Sequence, residues 1–259
     1  MILVTGASGT LGRILVRTLT ERGEDVRALS RSRHTDTGAA SRGRLEWAVG
    51  DLNTGAGLDE AVDGVDVIIH AASNTRQQGK GDTDAAWHLI EAAKRGGRRP
   101  HLVYISIVGV DRHPLKYYRV KYEVEKVFEG GGLPYTIQRT TQWPELLDKI
   151  LTAVSKSPLI PAPGGPYQPL AAAEVAERLA DLATGEPLGR AGDMGGPEVL
   201  EFSELARAYL RATGKRRLLV PIRIPGKLGQ AFRDGVQTTP ENRQGKTTWA
   251  EYLAAKYGA

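Results

Sequence analysis

Up to Arg139, short apolar or β-branched runs alternate with stretches whose apolar residues recur every three or four positions. The runs predict strands at Ile2–Thr5, Asp25–Leu29, Leu45–Val49, Val65–His70, Leu102–Ser106 and Tyr135–Arg139. Between them the spacing predicts helices. Leu11, Leu15 and Leu19 share one face of the first, and Leu89, Ile90 and Ala93 line another. Val120, Val124, Val127 and Phe128 form the stripe of a third. Parallel strands need long crossovers, and helices supply them, so this alternation predicts a parallel sheet covered on both faces. Six such strands make an α/β fold with a doubly wound (Rossmann) parallel sheet.

Beyond Arg139 the texture changes. Pro144, Pro158, Pro161, Pro163, Pro166 and Pro169 interrupt the rhythm, and Pro161-Ala162-Pro163-Gly164-Gly165-Pro166 predicts a loop or turn. Helices are expected at Glu174–Thr184, at Phe202–Thr213 and at Thr248–Tyr257, with a short strand at Arg217–Ile224. The expected organisation is a Rossmann domain over residues 1–142 and a smaller, less regular substrate-binding portion over 143–259, packed on the same core. That portion should sit over the carboxyl edge of the sheet, where open α/β folds bind ligands.

Where the first strand meets the first helix, the chain reads Thr5-Gly6-Ala7-Ser8-Gly9-Thr10-Leu11-Gly12. Gly6 can take the tight turn off the strand, Gly9 can let backbone approach a pyrophosphate, and Gly12 can let helix and sheet pack closely. The helix amino end adds free N–H groups and partial positive charge, and Ser8 and Thr10 add hydroxyl donors. An NAD site wants an acid about 20 residues past such a loop, on the ribose 2′-hydroxyl. Here the second strand ends Ala28-Leu29-Ser30-Arg31-Ser32-Arg33-His34, with no acid before Asp36. Arg31 and Arg33 suit a 2′-phosphate, which guanidinium pairs through two parallel hydrogen bonds. The expected cofactor is NADP(H).

The loop spacing, Gly-x-x-Gly-x-x-Gly, resembles that of the short-chain dehydrogenase/reductase superfamily, and the chain as a whole is most similar to its atypical, NmrA-like branch of NAD(P)-binding proteins. The resemblance implies further cofactor contacts. Asp51 and Leu52, after the third strand, match the pair whose carboxylate accepts from the adenine amino group. His70-Ala71-Ala72-Ser73 matches the small-residue turn beneath the cofactor, which assigns Ala71, Ala72 and Ser73 to the cofactor; His70 itself reads equally as a buried strand end. Tyr117 and Lys121 are four apart, so a helix stacks them on one face. They resemble the family's Tyr-x-x-x-Lys, with Ser106 in the place of its serine. An ammonium beside a phenol of pKa about 10 favours its ionised form, serine orients a carbonyl, and the tyrosine donates a proton in reduction. Tyr118 and Tyr122 share that spacing and leave open which tyrosine faces the cofactor. Thr141, Gln142 and Trp143 match the segment that begins the family's substrate wall. Asp193–Glu198 resembles its late strand-and-turn.

Composition narrows the partners. The 259 residues are 41% hydrophobic and 25% charged, and contain no cysteine, which excludes disulfides and thiolate chemistry. No metal site is expected. The net charge of +5 is spread over separated clusters at Arg31/Arg33, Lys94–Arg99 and Lys215–Arg217, which argues against nucleic acid. No apolar run approaches the ~20 residues of a membrane span, and Ile2-Leu3-Val4 is too short for a signal-peptide core. The expectation is a cytoplasmic protein, monomer or homodimer, acting on a small-molecule substrate. Three functions stay open: NADPH-dependent reduction of a small carbonyl or quinone with Tyr117 as proton donor, a non-catalytic NADP(H)-binding regulator, or an isomerase or cyclase using bound cofactor.

Overall fold

A computed structural model describes residues 1–33 and 42–258. His34 and Asp36, which enter the reading of the second strand's end, lie outside the described residues. In chain order the first elements are β1 (Ile2–Thr5), α1 (Thr10–Glu21), β2 (Val26–Ser30), β3 (Leu45–Val49), α2 (Leu58–Val62), β4 (Val67–His70), α3 (Asp82–Arg95), β5 (His101–Ile107), α4 (Lys116–Gly130) and β6 (Tyr135–Thr140). There follow α5 (Pro144–Val154), β7 (Leu159–Pro163), β8 (Pro166–Tyr167), α6 (Ala172–Thr184), β9 (Gly189–Arg190), β10 (Leu200–Glu201), α7 (Phe202–Ala212), β11 (Leu218–Ile222), α8 (Gly226–Arg233) and α9 (Trp249–Tyr257). No helix among the described residues is long and apolar enough to cross a membrane.

The chain divides into two compact units, neither continuous in sequence. The first comprises Met1–Ser106, Lys116–Gln138 and Val175–Ala191; the second comprises Ile107–Leu115, Arg139–Glu174 and the chain from Gly192 on. Residues 107–115 and 139–142 therefore group with the later part of the chain, and 175–191 with the earlier part. The second exchange has a visible cause: β9 pairs with β6, and α6 ties to α1 through Arg22, which bonds Asp181 at 2.7 Å and also Glu177.

The first unit is built on a parallel sheet in the order β3-β2-β1-β4-β5-β6-β9. All four β1 residues are buried, as a strand with partners on both sides requires. Leu3, Ile68, Leu102 and Ile137 from the strands pack with Leu89 and Ile90 of α3 and with Val124, Val127 and Phe128 of α4. The stripe Leu89, Ile90 and Ala93 and the residues Val124, Val127 and Phe128 read from the sequence meet this sheet, whereas Val120 is only half-buried. Strand order reverses between β1 and β4, so the crevice at their carboxyl ends is where such a sheet takes a ligand.

The second unit departs most from the sequence reading. Pro144 does not break structure but starts α5, in the first turn, where a missing N–H costs nothing. Of the stretch read as a loop or turn, Gly164 and Gly165 do link two strands, but Pro161–Pro163 close β7, which pairs in parallel with β11 from Leu159↔Leu218 to Pro163↔Ile222. A two-stranded sheet leaves one edge of β7 unpartnered, so prolines are tolerated there. Leu147, Leu151, Ile160, Phe202, Leu205, Tyr209, Trp249 and Leu253 form the core, and the buried Trp249 indole donates to Leu205 O at 3.1 Å.

Candidate functional site

Gly6 leaves β1 with φ +68°, and a Cβ there would lie 2.7 Å from Ala72 N. A Cβ on Gly12 would stand 2.0 Å from Gly6 O, so Gly12 packs α1 onto the loop itself. Gly9 N–H donates to Gly6 O at 2.9 Å and closes the turn. Gly9 is also the extended N-cap of α1, with no side-chain cap and no acid in the first turn. The first-turn N–H groups therefore have no intrahelical partner and favour an anion. Arg13, which the motif reading passed over, reaches back to Ser8 O at 2.9 Å and sets a guanidinium beside the loop.

Within the first unit a cavity of about 930 Å³ runs along this loop. Gly6, Ser8, Gly9, Arg31, Asp51, Leu52, Ala71, Ala72 and Ser73 line it, as expected of cofactor contacts. Leu29, Ser30, Ser32, Asn53, Asn74, Gln77 and Asp82, which the motifs did not single out, line it too. Leu11 and Gly12 are buried behind the loop and serve as packing, Thr10 caps nothing and sits at the start of α1, and Arg33 is exposed beyond the lining. Asp51 Oδ1 accepts from Asn53 N at 2.9 Å and shapes its loop. The glycine cradle, open helix end, arginine and carboxylate fit a dinucleotide: close backbone approach, anion donors, and partners for ribose and base.

His70 ends β4 fully enclosed, with Nδ1 2.9 Å from Thr5 Oγ1 and its ring among Tyr104 and Phe128. Burial, aided by Lys121, pushes its pKa down to about 3, so it is neutral and structural.

Ser106, Tyr117 and Lys121 all belong to the first unit. Ser106, near the end of β5, is buried and its Oγ has no hydrogen-bond partner among the described residues. Lys121 is 4% exposed; its Nζ donates to Ile105 O at 2.7 Å and lies 4.2 Å from the Tyr104 ring centroid. Burial brings its pKa down to about 8 against the opposing pull of Asp82 and Glu125. Tyr117 Oη lies 3.0 Å from Ser73 Oγ, which in turn donates to Asp82 Oδ2 at 2.5 Å. Of the three clustered tyrosines it is Tyr117 that touches Ser73, a residue of the cavity lining; Tyr118 is buried and Tyr122 lies under Lys126. One expectation is corrected. Burial pushes the Tyr117 phenol above its ordinary value and Asp82 adds to this, only partly offset by the Ser73 bond. The Lys121 ammonium, committed to a carbonyl, does not lower it.

Thr141, Gln142 and Trp143 belong to the second unit, where their polar atoms are engaged. Thr141 Oγ1 accepts from Gly196 N at 3.3 Å. Gln142 donates to Gln237 O at 2.7 Å and accepts from Gln168 N at 3.1 Å, and the Trp143 indole donates to Thr140 Oγ1 at 3.4 Å. Gln168, fully buried, ties Gly196 O, Thr239 O and Thr239 N into one knot, which no sequence motif announced.

Residues 6–154 match the sequence model of a family described as NAD(P)H-binding. A divinyl chlorophyllide a 8-vinyl-reductase of Oryza sativa subsp. indica is 30% identical over 255 residues, covering 86% of this chain and 62% of that protein. The chain spans 34% to 62% of the length of the first curated relatives it matches. Among solved structures, an Escherichia coli NADPH-dependent quinone oxidoreductase complexed with NADPH superposes with a TM-score of 0.79 at 21% identity, over 99% of this chain and 100% of that one. A Citrobacter sp. triphenylmethane reductase complexed with NADP(H) gives 0.71 at 19% identity, over 100% and 95%.

Proposed function

The chain belongs to the NAD(P)H-binding family, and on that footing we propose that it is an NADPH-dependent oxidoreductase reducing a small carbonyl or quinone. The observation that supports this reading is that Tyr117 Oη meets Ser73, which lines the glycine-loop cavity, while Lys121 bonds Ile105 O, next in the chain to Ser106. Reduced nicotinamide, when bound, supplies a hydride. The protein's residues supply the rest. Ser106, with an unpartnered buried hydroxyl, orients the substrate oxygen; Tyr117, kept protonated by burial, gives it a proton; Lys121 braces the end of β5 through Ile105 O. The quinone oxidoreductase and the vinyl-reductase named above support a conjugated or quinonoid substrate.

Arg31 is assigned to the 2′-phosphate because it is exposed and lines the cavity past β2. NADPH should bind about 10- to 100-fold more tightly than NADH, the worth of a charge-assisted hydrogen bond, and Arg31→Ala should erase most of that ratio. Calorimetric titration with both dinucleotides tests this, and equal affinities in the wild type would refute the assignment. The engagement of the Tyr117 hydroxyl by Ser73 is the observation that favours a second reading, a non-catalytic NADP(H)-binding regulator. Under it, cofactor binding persists and no carbonyl or quinone is turned over.

A further inference from the structure

Ser73 has one hydroxyl proton, and Asp82 takes it, because an ionised carboxylate accepts only. In its own bond to Ser73, Tyr117 is therefore the donor. The chain of donation runs from Tyr117 to Ser73 to Asp82. Asp82 is only 7% exposed, and its other oxygen accepts from Asn74 N at 2.9 Å, which fixes the carboxylate in place. A reversal through Gly79 (φ +79°) and Gly81 (φ +86°) returns the start of α3 to Ser73, and both Ser73 and Asp82 line the cavity.

We propose that Asp82 is the proton terminus of Tyr117, reached through Ser73. The proposal rests on the oxidoreductase reading. In reduction, protonated Asp82 gives its proton to Ser73 Oγ, Ser73 gives its own to Tyr117 Oη, and Tyr117 gives its own to the substrate oxygen, while the substrate carbon gains the hydride of the reduced nicotinamide. The ionised carboxylate and the donor order seen here are what that transfer leaves behind. In oxidation the same O–H bonds exchange in reverse, and the alcohol's proton ends on Asp82. Asp82 touches no reacting atom and acts as a positioning residue that holds the proton.

Reduction then draws its proton through Ser73, so severing either hydrogen bond of the Tyr117–Ser73–Asp82 chain should slow turnover. Tyr104 on β5 also faces Tyr117, and beyond it Asp82 and Glu125 act on Lys121, which acts on His70. His70 stays neutral, and burial brings Lys121 down to about 8.

The first test needs neither cofactor nor turnover. In protein labelled with carbon-13 at tyrosine Cζ, the Tyr117 resonance is the one lost in Tyr117→Phe. Asp82→Asn should lower the Tyr117 titration midpoint, and Ser73→Ala should raise it. In NADPH-dependent reduction, each variant should lower kcat about tenfold or more. Ser73→Ala keeps the Asp82–Asn74 bond, so it decides the matter where Asp82→Asn disturbs the start of α3. An unmoved Tyr117 midpoint in both variants, or an active wild type whose kcat is undiminished in both, overturns the proposal. A wild type that reduces nothing overturns the parent reading, and the proton transfer with it.

Discussion

Lys121 carries an ammonium into the interior of the first unit, and this has a consequence for stability. Its folded-state pKa of about 8 is below the ordinary 10.5, so between those values the unfolded chain binds more protons than the folded one. Stability from this group therefore rises with pH across that window and is lowest below it. Lys121→Met should gain on the wild type at pH 7 and lose that advantage by pH 10, measured by urea unfolding at both. A difference independent of pH would refute the shift. The partners of Tyr117 show what single residues disclose in a sequence. Tyr117 and Lys121 were legible because a helix places positions four apart on one face. Asp82 was not, because its approach to Ser73 depends on a 3₁₀ turn (Thr75–Gln77) and two left-handed glycines that no periodicity marks.

At the scale of elements, the β1–α1 junction is the most constrained. Its three glycines could be read with their roles, because a phosphate-binding turn imposes steric demands that few sequences meet. Gly12→Ala would set a Cβ 2.0 Å from backbone oxygen. It should cost about 1–3 kcal/mol of unfolding free energy, the range of an overpacked core, and weaken NADPH binding at the same time. Denaturant unfolding and calorimetry check both, and unchanged NADPH affinity in a folded variant would separate the junction from the cofactor. Six of the strands of the main sheet were legible within a residue or two, the buried β1, β4 and β5 because such parallel strands read as near-continuous apolar runs. β9 was not, being two residues long, and α5 and β7 were hidden by prolines that sit at a helix start and an unpartnered strand edge.

For the whole molecule, the order of the chain is a poor guide to its two units, because β9 returns to β6 from a late position in sequence. No local pattern encodes that pairing. The cofactor should act on the molecule as a ligand of the folded state alone, adding about 2.7 kcal/mol at a hundredfold excess over Kd. A thermal melt should show NADPH raising Tm more than NADH at equal concentration; equal shifts would count against Arg31. The oxidoreductase reading itself turns on Tyr117. The decisive measurement is NADPH consumption against a panel of carbonyls and quinones by the wild type and by Tyr117→Phe. At least one substrate should be reduced by the wild type, with kcat about 10²-fold lower in the variant and NADPH affinity unchanged. Undiminished turnover by Tyr117→Phe would contradict it.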